Sequence, residues 1–253
     1  MKMLKDTWLM FQRYLFVFLR NPAWVVIGVL QPVLYLVLFA PLLTSLTETP
    51  GFPSGGAYNV FVPGLLIQLG LFGASGVGFG LIAELRAGVI ERFRVTPVSR
   101  FALLLGRALR DILTLVVQSL ILLLLAVPFG LKPTVSGVFV MLGLVALIGL
   151  GMSSLAYAAA LALKSEDSYA PLIFTLSLPL LLLSGVLLPL QLAPQWLQHI
   201  AQANPLSYAV TAARDVFNGH GGDVDVYKGL AIMAALAVVG VLVGARRFSR
   251  AIA

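Results

Sequence analysis

The chain has 253 residues, 60% of them hydrophobic and only 11% charged, with a mean hydropathy of +1.00. Soluble domains are about 45–50% apolar, so this composition excludes an ordinary soluble fold and points to a polytopic membrane protein. There is no cysteine, which excludes a disulfide framework and thiolate chemistry, and the net charge of +7 sits beside apolar runs, as in cytoplasmic loops rather than a nucleic-acid surface.

Residues 1–20 read as an amphipathic helix lying in the membrane interface. Lys2, Lys5, Asp6, Gln12, Arg13 and Arg20 share an arc about 120° wide, and Trp8, Leu9, Phe11, Leu15, Phe16 and Phe18 fill much of the rest. The same polar residues argue against a cleavable signal. Asn21-Pro22 separates this helix from the first apolar run.

Six spans are expected: Trp24–Leu43, Val60–Ala83, Asp111–Val127, Val135–Leu163, Tyr169–Leu188 and Val226–Ala245. The third begins earlier, in the interface. Of the lysines and arginines, fourteen then fall on one side and three on the other, namely Lys132, Arg214 and Lys228. Positive charge marks the cytoplasmic side, so both termini are expected there. Polar caps before proline at Thr96-Pro97 and Asn204-Pro205 mark helix starts. Residues 190–224 are expected outside, as two short helices in a re-entrant hairpin too short to span.

The spans are uncharged at their centres, which argues against an ion-coupled transporter. Arg107 and Asp111, four apart, are expected to pair on one helix face. Gln31, Gln68, Ser75, Gln118 and Thr175 are candidates to line a path for an amphipathic substrate. Gly76/Gly80 and Gly240/Gly244 have the spacing of close helix packing. Gly73–Gly76 matches a serine-protease motif of the rhomboid type, but the two histidines, His199 and His220, lie in the last external loop, so the serine has no base. No phosphate-cradling G-x-x-x-x-G-K-[ST] loop occurs.

The densest charge lies at Glu84–Arg100, with six charges in seventeen residues. Leu85, Val89 and Phe93 form a stripe, with Ile90 beside it. Glu84, Arg86, Glu91, Arg92 and Arg94 surround it. Such a helix can lie on the membrane or enter a groove of another protein.

The segment Tyr58–Asp111 resembles the type-two ABC export permeases of the daunorubicin-resistance branch. The likeness rests on Phe61-Val62-Pro63-Gly64, Gly88, Glu91-Arg92-Phe93, Thr96-Pro97-Val98-Ser99-Arg100 and Gly106-Arg107, then on Asn204–Gly219 before the last span. It implies one transmembrane domain over residues 1–253, all-α, paired with a second permease subunit, either a copy or a paralogue. Two cytoplasmic ABC ATPase subunits would carry the ATP and Mg, with no cofactor on this chain. The region 84–100 would hold the coupling helix, with Glu84, Arg86, Val89, Glu91, Arg92, Phe93, Arg94, Thr96, Pro97 and Arg100 as its contact set and Phe93 filling a cleft of the ATPase. The implied function is export across the cell membrane of a hydrophobic drug, lipid or natural product, or of a polysaccharide or lipid-linked glycan.

Overall fold

The computed structural model describes residues 2–20, 23–39, 41–42, 56–94, 98–187 and 190–251. Helix α1 is Lys2–Leu19, and α2 is Ala23–Leu34, which loosens into a π-helical turn at Tyr35–Phe39. Next come α3, Ala57–Arg86, the six-residue α4, Val89–Arg94, and α5, Arg100–Ala126. Then follow α6, Val135–Leu163, and α7, Glu166–Leu182. Two short helices, α8 (Gln195–Ala201) and α9 (Pro205–Phe217), precede α10, Val224–Ala251. No strand occurs among the described residues.

Four of these, α3, α5, α6 and α10, are long and apolar enough to cross a bilayer. Among the described residues, the unbroken helices at the first and fifth expected spans are shorter. Pro32 lies inside α2, where it removes a backbone donor. Helix α7 stops at Leu182, six residues before the expected Leu188, because the chain turns through Ser184 and Gly185, the latter at φ +77°. The helix of the third span does begin before Asp111, at Arg100, capped by Ser99 Oγ, which accepts from Ala102 N at 3.1 Å. The expected breaks at Asn21-Pro22 and Thr96-Pro97 lie outside the described residues. Asn204-Pro205 does start a helix: Asn204 Oδ1 accepts from Leu206 N at 3.0 Å.

Helix α6 is the centre of the bundle, packed on α3, α5 and α10. At its crossing with α10 the backbones nearly touch. A Cβ on Gly240 would stand 2.4 Å from the Gly151 carbonyl oxygen, and one on Gly244 would stand 3.0 Å from that of Ser154. The Gly76/Gly80 pair behaves otherwise: neither has an atom within 4 Å of its missing Cβ, while Gly78 between them receives the ring of Tyr169. Gly240→Ala is therefore expected to destabilise the bundle by about 1–3 kcal/mol, since two backbones cannot both yield. Gly76→Ala should have little effect. Detergent-to-SDS unfolding monitored by circular dichroism compares the two.

Helix α9 is buried along Leu206, Ala209, Val210, Ala213 and Phe217, between α3, α6 and α10. Its Arg214 is also buried and donates from Nε to the Val60 carbonyl at 2.9 Å. Nη2 donates to the carbonyls of Gly185 at 2.7 Å and Val186 at 3.4 Å. One side chain thus ties the start of α3 to the chain leaving α7.

Candidate functional site

At the opposite end of α3, Gly88 takes a left-handed φ of +66° and turns the chain into α4. The apolar stripe of this short helix faces the protein. Ile90 is only 4% exposed, and Leu85 and Phe93 pack against a cluster containing Leu81, Ile82, Leu103, Leu104 and Phe248. The Arg13 guanidinium of α1 lies 4.5 Å from the centre of the Phe93 ring. Val89 is half-buried, whereas Arg86, Glu91 and Arg92 are exposed. Arg86 pairs with Glu166 of α7 at 3.1 Å. Arg100 is exposed too and donates from Nη1 to the Ser249 carbonyl of α10 at 2.7 Å. Arg94 ends α4, and Thr96 and Pro97 lie outside the described residues.

Directly behind α4 is a cluster of charges. Glu84 of α3 forms an ion pair with Arg107 of α5, whose side chain is 2% exposed. The expected pairing of Arg107 with Asp111 is therefore replaced by a bridge between two helices, because Arg107 points at α3. Asp111 instead accepts a hydrogen bond from the Tyr157 hydroxyl of α6 and pairs with Arg110 at 3.1 Å. The Arg107 guanidinium also lies 4.4 Å from the centre of the Tyr14 ring of α1. Tyr157 meets the Phe248 ring of α10 edge-on at 6.4 Å. Two carboxylates and two guanidiniums make the cluster neutral. That matters because an uncompensated buried charge is costly. Burial pushes the Tyr14 phenol above its ordinary pKa, against the pull of Arg107. The cluster joins α1, α3, α5, α6 and α10.

The expected path residues separate. Gln31 is exposed on α2. Gln68 is buried in the core of α3. Gln118 donates to the Val25 carbonyl at 3.3 Å and so ties α5 to α2. Ser75 and Thr175 share a cavity, a cleft of about 440 Å³ along α6 and α7, reached also by Pro205, Leu206 and Leu236. Its walls are mostly apolar, among them Met152, Leu155, Leu172, Ile173 and Leu176. Ser75 is buried and its hydroxyl has no hydrogen-bond partner among the described residues. Its carbonyl accepts from the Tyr169 hydroxyl at 2.6 Å.

Comparison with known proteins comes to the same kind of molecule. A family model described as ABC-2 type transporter matches residues 5–218. The putative transport permease ycf38 of Cyanophora paradoxa is 29% identical over 201 residues, 79% of this chain and 69% of that protein. Its counterpart from Pyropia yezoensis is 30% identical over 202 residues, with the same coverage of 79% and 69%. The daunorubicin resistance ABC transporter permease protein DrrB1 of Streptomyces coeruleorubidus is 28% identical over 237 residues, 90% of this chain and 80% of that protein.

Proposed function

Since the chain belongs to the ABC-2 type transporter family of membrane proteins, we propose that it is the permease subunit of an ATP-driven exporter and that α4 is its coupling helix. In this reading ATP and Mg are bound by separate cytoplasmic ABC ATPase subunits, two per assembly, and a second permease subunit completes the pore. Helices α2, α3, α5, α6, α7 and α10 are the six spans, and α1 rests in the interface. The fourteen-to-three charge asymmetry supports a cell-membrane topology with both termini and residues 84–100 in the cytoplasm and 190–224 outside.

The observation that carries the proposal is the way α4 is mounted. Its apolar side is fixed to the bundle through Ile90 and Phe93, and its exposed side offers Glu91 and Arg92. A partner gripping the exposed face would move α4 together with Arg13 and the end of α3. The Glu84–Arg107 pair would pass that displacement to α5, and the Asp111–Tyr157–Phe248 chain to α6 and α10. Phe93 then serves as the fixing pin of the helix rather than as the part inserted into the ATPase. The mostly apolar cleft holding Ser75 and Thr175 supports a hydrophobic or amphipathic substrate such as a drug or lipid.

Recovery of the ATPase on affinity-tagged permease tests this. Arg92→Glu is expected to lower recovery about tenfold, the effect of roughly 1.4 kcal/mol. Leu4→Ala, on the exposed side of α1, should leave it unchanged. Equal recovery with Arg92→Glu and the natural chain would remove the exposed face of α4 as the docking surface. Nucleotide binding by the permease alone would remove the division of labour itself.

A further inference from the structure

Helix α10 carries an organised stripe at its last turns. Val243, Arg246, Arg247 and Arg250 stand at i, i+3, i+4 and i+7, so all four share one helix face. They enclose a shallow pocket of about 260 Å³. The three guanidiniums are exposed, and among the described residues none of them is in an ion pair. Phe248, between them in sequence, is fully buried against the bundle and fixes the rotation of the helix. The arginine stripe is thereby held facing outward.

We infer that this stripe is a binding site for the headgroup of an anionic phospholipid. The order of residues along the helix selects that ligand. Above the arginines, Val239 and Leu242 are each 53% exposed and continue the same side of α10 toward the middle of the span. Apolar track followed by cationic end is the polarity of a phospholipid, with acyl chain along Val239 and Leu242 and phosphate among the guanidiniums. Guanidinium donors match phosphate oxygens in pairs. A soluble acidic protein could use the arginines, but it would leave the apolar track unused. The inference needs only that α10 crosses the bilayer. The proposed orientation decides which leaflet supplies the lipid.

Native mass spectrometry of the purified full-length chain, loaded with phosphatidylglycerol in competition with phosphatidylcholine, tests it. The natural chain should retain phosphatidylglycerol preferentially. The triple variant Arg246→Gln, Arg247→Gln, Arg250→Gln should weaken that preference at least about tenfold, given roughly fivefold per basic residue near an anionic surface. Lys2→Gln, Lys5→Gln, Arg20→Gln removes the same charge from the interfacial α1, where among the described residues no pocket gathers the three side chains, and should weaken the preference clearly less. The corresponding triple lysine variant should keep most of the preference and guards against a folding defect. Three outcomes would overturn the inference. They are an equal loss in both glutamine triples, no preference in the natural chain, and displacement of the lipid by millimolar inorganic phosphate. Unaltered lipid retention with loss of the ATPase would instead make the stripe a protein-docking face.

Discussion

Arg107→Met should lower the unfolding free energy of the chain by about 3–5 kcal/mol, the range for breaking one side of a buried ion pair. Arg107 is 2% exposed and holds Glu84, the ring of Tyr14 and the approach to Asp111 in one place. Removing it leaves two carboxylates against the single guanidinium of Arg110, so the cluster acquires a net negative charge. Glu84 is 31% exposed and can take up water. That puts the loss toward the lower end of the range. The companion change identifies the cause. Glu84→Gln with Arg107→Met restores neutrality and should recover more than half of the loss, whereas Glu84→Gln alone leaves an extra cation and should destabilise. Reversible SDS unfolding of the four proteins closes the cycle. Additive losses would mean that the pair is not coupled.

Arg214→Met is the second large effect, expected at about 2–4 kcal/mol. The side chain makes three hydrogen bonds to backbone carbonyls, and hydrogen bonds to charged groups contribute about 1.5–3 kcal/mol each. Their sum is offset by the cost of holding a cation away from water, which methionine does not carry. What remains is the stranding of the carbonyls of Val60 and Gly185. Arg214→Lys keeps the charge but lacks the planar fork that reaches both chains, so it should recover less than half. The same unfolding assay decides. A smaller loss with methionine than with lysine would mean that desolvation of the cation outweighs the bonds.

The clearest reading from the sequence was α6. Its expected limits, Val135 and Leu163, are the observed ones, because Thr134 caps the start and Lys164 turns left-handed at φ +54° immediately after the end. The α8–α9 break at Asn204-Pro205 was equally legible, being a local feature of side chain and ring. What could not be read was direction. The stripe of α4 is visible in sequence, but whether it turns inward depends on what lies behind it, and Arg13 and Phe248 are remote in the chain. Arg107 and Asp111 have the spacing of a helical pair, yet each found a partner on another helix. Asp111 is bonded by the hydroxyl of Tyr157, 46 residues further along the chain. Nothing in its surroundings in sequence marks it as the partner of Asp111. The cleft was hidden for a different reason: its leucines are indistinguishable by composition from those of the core.

The two prolines inside α7 make it mechanically unlike α6. Pro171 and Pro179 have no amide hydrogen, so the carbonyls of Asp167 and Thr175 lack their usual donors one turn on. A rod such as α6, unbroken for 29 residues, can bend sharply only by rupturing ladder hydrogen bonds. Helix α7 has already given up two of its own, so it can flex at two joints at little further cost. Any widening of the cleft between the two would then be hinged on one wall alone, with α6 as the fixed jamb and α7 as the leaf.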